Sequence, residues 1–255
     1  MEKELKAPVA EIFVSTQMEG PTIGTPSVFI RFWGCNLRCQ FNSDKCDTVY
    51  AVKTDRNKAR QYTAEGLAQE INKYIIEHYT KYDTLISNLV ITGGEPFLYQ
   101  EFLLHFFKEL DKILSFKPTI EIETNGTISV LHGYKICNKV YDMDDYVTQY
   151  NVSVKLSNSN QETKTYDKRR INKKALNTFP VDKSIFKFVV DGNADMFEIK
   201  QLTREYNFPV YLMPQGMTRA DIIKKGPEVV YLAIMNGYKY SPREHIILWD
   251  KKRGV

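Results

Sequence analysis

Trp33-Gly34-Cys35-Asn36-Leu37-Arg38-Cys39-Gln40-Phe41-Asn42-Ser43-Asp44-Lys45-Cys46-Asp47-Thr48 gathers three of the chain's four cysteines into twelve residues, directly after the strand-like run Ser27-Val28-Phe29-Ile30-Arg31-Phe32-Trp33. A strand ending there presents the thiols at a sheet edge. Structural zinc usually closes four ligands, and no partner pair is evident: Cys137 stands far off, with nearby His132 giving only a weak Cys3His alternative. A disulfide would leave an odd thiol, and a chain without a secretory signal is expected in a reducing compartment, here the cytoplasm. Iron and sulfide fit better, because thiolates hold iron–sulfur clusters and three ligands on a four-iron cluster leave one iron open to bind something else.

The remainder of the chain sets the frame for that loop. Its 255 residues suit one substantial core, so a single domain over 1–255 is expected, with the cluster loop at 34–48. A hydrophobic fraction of 43% and a charged fraction of 26% are ordinary for a soluble globular protein, and no apolar run approaches a membrane span. The formal charge of +4 comes without a long basic tract or aromatic ladder, so no direct nucleic-acid binding is expected.

Residues 1–8 read as a mobile lead-in, followed by a strand over residues 9–14 and a polar turn, Ser15-Thr16-Gln17-Met18-Glu19-Gly20-Pro21. Arg31 lies in an apolar strand, where a charge is rarely buried without a partner. Between Tyr50 and Gln61 a surface loop is expected. Thr63 then caps a helix with Leu67, Ile71, Tyr74 and Ile75 at helical spacing. The strand at residues 88–91 runs into Thr92-Gly93-Gly94-Glu95-Pro96, whose tandem glycines let a ligand approach the main chain. Glu121 and Glu123 alternate with isoleucines ahead of Thr124-Asn125-Gly126, so both carboxylates leave one face of a strand. Residues 127–150 read as a long connection. Further strands are expected at 151–155, 185–190 and 210–213, with helices near 194–206 and 218–237. This alternation of strand and helix implies an α/β fold with a mostly parallel sheet and ligands at the carboxyl ends of its strands.

Cys35-x3-Cys39, a third cysteine, Asp47-Thr48 and Thr92-Gly93-Gly94-Glu95-Pro96 together resemble the radical S-adenosylmethionine (SAM) enzymes, specifically the 7-carboxy-7-deazaguanine synthase family. Glu123-Thr124-Asn125-Gly126, Ser153-Val154-Lys155 and residues 249–254 extend the likeness over nearly the full chain. The chain departs from the usual C-x3-C-x2-C spacing by placing six residues between Cys39 and Cys46. Lengthening a loop costs only about 0.6 kcal/mol per doubling, so the insertion is compatible with three-point ligation. It also carries Met18 and Val154 where the family has glycine and proline.

The resemblance implies an incomplete, modified (β/α) barrel of the radical SAM type, and a radical SAM carbon–nitrogen lyase. A [4Fe-4S] cluster would sit on Cys35, Cys39 and Cys46, with Mg2+ on Thr48. SAM would be met by Lys45, Cys46, Asp47, Gly94, Glu95, Ser153, Val154, Lys155, Leu212, Met213, Pro214 and Gln215. The substrate, 6-carboxy-5,6,7,8-tetrahydropterin, would be met by Thr16, Gln17, Met18, Glu19, Arg31, Thr92 and His245, and would undergo ring contraction to 7-carboxy-7-deazaguanine with loss of ammonia, in queuosine-type 7-deazapurine biosynthesis. An electron-donor reductase and a homodimer are also implied. The alternatives are another radical SAM enzyme, such as a glycyl-radical activase, and a zinc-stabilised binding module.

Overall fold

The computed structural model describes residues 4–41, 44–53, 59–159 and 169–255, without the side chains of Asp44, Lys45 and Lys53. Nine strands form one sheet in the order β13-β12-β11-β10-β7-β6-β2-β1-β5. In chain order these are β1 (Lys6–Thr16), β2 (Pro26–Phe32), β5 (Arg60–Thr63), β6 (Asn88–Gly93), β7 (Thr119–Thr124), β10 (Gln149–Val152), β11 (Ser184–Val190), β12 (Val210–Pro214) and β13 (Lys239–Tyr240). Short antiparallel pairs β3 (Gln40–Phe41) with β4 (Asp44–Lys45), and β8 (Tyr134–Ile136) with β9 (Lys139–Tyr141), stand outside it.

Every neighbouring pair from β2 to β13 is parallel, whereas β1 pairs antiparallel with both β2 and β5. No ladder joins β5 to β13 among the described residues, so the sheet is an incomplete (β/α) barrel. Near-continuous apolar strands such as β11 and β12 follow from burial on both faces.

Helices α1 (Tyr50–Lys53), α2 (Ala64–Tyr82), α3 (Gln100–Ile113), α4 (Lys173–Leu176), α5 (Asp195–Thr203), α6 (Arg219–Asn236) and α7 (Glu244–Trp249) complete the described regular structure with several single 3-10 turns. Thr63 caps α2 by accepting from the Gly66 N–H, and Thr218 closes a capping box with Asp221 at the start of α6. The core that seats the sheet includes Phe32, Phe106, Phe107, Tyr150, Phe186 and Phe188, all buried.

Three expectations needed correction. Within the lead-in, residues 6–9 pair with β5 and Ala7 is fully buried, which the polar flanks concealed; residues 1–3 lie outside the described ones. Tyr50 to Gln61 is not simply a surface loop, because α1 buries Ala51 and β5 begins at Arg60; residues 54–58 lie outside the described ones. The strand expected over 151–155 leaves the ladder after Val152, freeing residues 153–155 to turn across the sheet end.

Candidate active site

The cluster loop is tied down on three sides by backbone groups. Gly34 donates to Ala51 O at 2.7 Å, Glu95 N donates to Gly34 O at 2.8 Å, and Gly94 N donates to Phe32 O at 3.1 Å. Gly94 is required by this close approach: a Cβ there would lie 2.0 Å from Gly34 O and 2.9 Å from Cys35 Cβ. Glu95 is wholly buried, and its carboxylate accepts from Thr124 Oγ1 at 2.8 Å, Asn125 N at 2.7 Å and Phe97 N at 3.0 Å. Asn125 in turn donates to Asn36 Oδ1 at 2.9 Å and approaches Cys35 Sγ at 3.8 Å. Thus the Gly-Gly-Glu and Glu-Thr-Asn-Gly segments are bolted together, and their joint product is a fixed first cysteine.

Cys35, Cys39 and Cys46 line one cavity of about 620 Å³ together with Gly94, Asn125, Ser153 and Lys155. Burial pushes the Cys35 thiol up to about 11 and the Cys46 thiol up to about 12, with Cys39 adding to both shifts. Three sulfurs on one cavity, two of them held as thiols by burial, form a donor set that lacks a positive centre, and an iron–sulfur core supplies one. Among the described residues, no three His, Cys, Asp or Glu side chains are grouped to hold a single metal ion. Cys137 is exposed on the β8–β9 turn and does not reach the cavity. The residues therefore fit a cluster better than they fit zinc.

On the far wall lies a buried ionic network. Lys187, whose side chain is 1% exposed, contacts Glu19 at 2.8 Å and Glu123 at 2.9 Å. Burial opposes its charge, but Glu123 and Glu19 outweigh that and hold the ammonium protonated. Burial likewise works to raise Glu19, yet Lys187, His245 and Arg243 overcome it and hold the carboxyl well below the usual range. Arg243 reaches Glu19 at 3.3 Å, Gly216 O at 2.8 Å and Asp47, so it joins the turn after β1 to the cluster loop. His245 Nδ1 lies 3.8 Å from Glu19, and burial lowers its pKa.

Most expected site residues meet in this cavity: Thr16, Gln17, Met18, Glu19, Arg31, Thr92 and His245, together with Cys46, Asp47, Thr48, Gly94, Ser153, Lys155 and Met213. Met18 does not adopt a positive φ; Gly20 and Gly24 supply those conformations in the turn, so a side chain at 18 costs no backbone strain. The Met18 carbonyl accepts from Glu244 N at 3.3 Å. Arg31 pairs through Nε with Glu11 at 2.7 Å and sits near the Phe13 and Tyr50 rings, leaving its terminal nitrogens without a hydrogen bond among the described residues. Thr48 Oγ1 donates to Asp47 Oδ1 at 2.8 Å.

Others stand behind the wall. Glu95 is enclosed as described. Val154, Leu212 and Pro214 are buried, the last two as strand alternation requires when Met213 faces the cavity, and Gln215, past the end of β12, lines a smaller neighbouring cavity. The Lys45 side chain is outside the described residues. Sequence reasoning missed Lys187 and Arg243. The signal for Lys187 was available, since it interrupts Ile185-Phe186-Lys187-Phe188-Val189 as Arg31 interrupts β2.

A sequence model of a family described as a 4Fe-4S single cluster domain matches residues 20–175. A protein from Halobacterium salinarum named 7-carboxy-7-deazaguanine synthase is 33% identical over 95% of this chain and 90% of its own length. One of the same name from Clostridium acetobutylicum is 32% identical over 97% of this chain and 98% of its own length. One from Rhodopirellula baltica is 30% identical over 97% and 88%. The crystal structure of QueE from Escherichia coli superposes with a TM-score of 0.60 at 20% identity, covering 93% of each chain, which supports the fold.

Proposed function

The chain belongs to the 7-carboxy-7-deazaguanine synthase family, and we propose that its cavity carries out that synthesis: radical SAM-dependent ring contraction of 6-carboxy-5,6,7,8-tetrahydropterin to 7-carboxy-7-deazaguanine, with loss of ammonia. The observation that carries this reading is the convergence of three cysteines with an ionised, cation-backed Glu19 and a forked Arg31 in one cavity. When bound, a [4Fe-4S] cluster and SAM supply a carbon radical that takes hydrogen from the substrate.

Cys35, Cys39 and Cys46 would hold the cluster. Gly94, Ser153, Lys155 and Met213 line the side suited to SAM; Lys155 Nζ donates to Ser153 Oγ at 2.9 Å, which orients both groups. Glu19, kept charged by Lys187 and Arg243, accepts N–H groups of the pterin ring. Arg31 offers its terminal nitrogens to the substrate carboxylate as a planar fork. Thr16, Met18, Thr92 and His245 border the same space and orient the ring. Thr48 supplies a neutral oxygen for Mg2+, which prefers oxygen ligands and keeps several waters.

An external reductase would supply electrons in a reducing cytoplasm. No helix among the described residues is long and apolar enough to cross a membrane. Two copies would associate, for which exposed Ile223, Tyr231, Ile234 and Met235 on α6 offer an apolar face.

The test is anaerobic reconstitution with iron and sulfide, then SAM turnover with and without the carboxypterin. Expected are 7-carboxy-7-deazaguanine and ammonia only when the pterin is present. A protein that forms its cluster and cleaves SAM while leaving the pterin unchanged would overturn the reading.

A further inference from the structure

Glu121 does not itself line the cavity, yet it is 1% exposed and accepts four side-chain hydrogen bonds. Asn88 Nδ2 donates to Oε1 at 2.8 Å. Thr22 Oγ1 at 2.8 Å, Gln17 Nε2 at 3.3 Å and Asn151 Nδ2 at 3.3 Å all donate to Oε2. These donors come from the loop after β1, from β6 and from β10. All four are neutral, and no Lys or Arg forms a recorded ion pair with Glu121 among the described residues.

Gln17 explains why an acceptor belongs there. It is 3% exposed, and its Oε1 accepts from Met18 N at 3.0 Å and Glu19 N at 3.3 Å, while its Nε2 donates to Glu121 and, at 3.5 Å, to Glu123. An amide has two acceptor sites and two protons. All four are used inside the protein, so the Gln17 side chain has nothing left to give a ligand. Its effect is to hold the two N–H groups that set the direction of Glu19.

A buried carboxylate is a poor device for stability alone, since apolar packing of the same volume serves as well. What a carboxylate does that an amide cannot is accept at both ends. Facing Gln17, it allows the Nε2 end only, and thereby turns Oε1 towards the Met18 and Glu19 N–H groups.

We propose that Glu121 is a positioning residue for the pterin: a buried acceptor that fixes the orientation of the Gln17 amide and, through it, the turn that presents Glu19. This rests on the reading above, that Glu19 meets the carboxypterin.

The experiment uses the reconstituted enzyme and the isosteric variant Glu121→Gln. The NH2 end of residue 121 then meets the Asn88 donor, which pushes the side chain off its seat and leaves Gln17 a displaced, neutral acceptor in place of a carboxylate; the loss of that charge-assisted hydrogen bond is expected to raise the carboxypterin KM by about 10- to 100-fold. Iron content and the KM for SAM should stay at parental values. The double variant Glu121→Gln, Asn88→Asp exchanges donor and acceptor across that contact and should recover the carboxypterin KM. A parental carboxypterin KM in Glu121→Gln, or an equal rise for SAM, overturns the proposal, as does a folded double variant without recovery. Should Glu121→Gln not fold, Gln17→Leu takes its place with the same expected split between the two KM values, and a parental carboxypterin KM there is equally fatal. Orientation has its own readout: the Gln17 side-chain amide protons should exchange slowly with solvent in the parent and quickly in Glu121→Gln, as read by NMR. Fast exchange in the parent overturns the amide relay even if turnover is normal, whereas slow exchange in a protein that ignores the carboxypterin overturns the functional reading instead.

Discussion

Replacing Lys187 by methionine keeps an unbranched apolar stem and removes the ammonium that stands 2.8 Å from Glu19 and 2.9 Å from Glu123. Breaking a buried pair from one side generally costs about 3–5 kcal/mol, because the remaining charge is left uncompensated. The low end applies here: the two carboxylates are 19% and 18% exposed, and Glu19 keeps Arg243 at 3.3 Å. A loss of about 3 kcal/mol should lower the Tm by roughly 6–12 °C in a chain of this size.

Its pH dependence identifies the cause. In the parent, the depressed Glu19 carboxyl contributes stability that is present above its ordinary value of 4.5 and is lost only as pH falls through the lower folded value. For Glu123 the sign is opposite already in the parent, because burial pushes its carboxyl up, and removing Lys187, which draws it down, pushes it further up in the variant. Protonation then favours the folded form, so the gap in stability between parent and variant should be widest near pH 8 and narrow towards pH 5. Denaturant unfolding of equally reconstituted proteins across that range measures it. A gap that is constant with pH, or a loss below about 1 kcal/mol of the kind expected for a solvated pair, would refute the account of Lys187 as a counter-ion.

Three further outcomes are expected. Alanine at Cys35, Cys39 or Cys46 should abolish the iron–sulfur absorbance after reconstitution, whereas alanine at exposed Cys137 should leave it intact; a full cluster in Cys46→Ala would remove the six-residue gap from the ligand set. Gly94→Ala should lose most of its iron and unfold earlier, because the added methyl meets backbone at 2.0 Å and 2.5 Å, and backbone does not swing aside; parental iron content would contradict this. Thr48→Val should retain its cluster and cleave SAM, but make little product and respond weakly to magnesium; a parental rate with normal magnesium response would exclude Thr48 as a ligand.

What was legible in the sequence follows the kind of force involved. The cysteine loop, the Gly-Gly-Glu turn and the strand–helix alternation are local patterns, and all reappear in the fold. Leu212 fell behind the wall because a matched stretch carries no phase, whereas strand alternation decides which of its side chains faces the cavity. Arg243 was invisible for a different reason. Nothing beside it in the chain suggests a buried guanidinium, since both of its carboxylate partners lie near the other end.

That separation bears on how the molecule assembles. Arg243 meets Asp47 across 196 positions and Glu19 across 224, so these contacts close nearly the largest loops the chain allows. Closing a loop of that length carries an entropic cost that grows only slowly with length, so the distance in sequence does not by itself weaken the clasp. The cluster loop is held by nearer neighbours, Ala51, Glu95 and Asn125, and the Arg243 clasp adds a tie from the far end of the chain. Without Arg243 the Asp47 and Glu19 carboxylates would face each other's charge, so the clasp also makes two anions compatible on one wall.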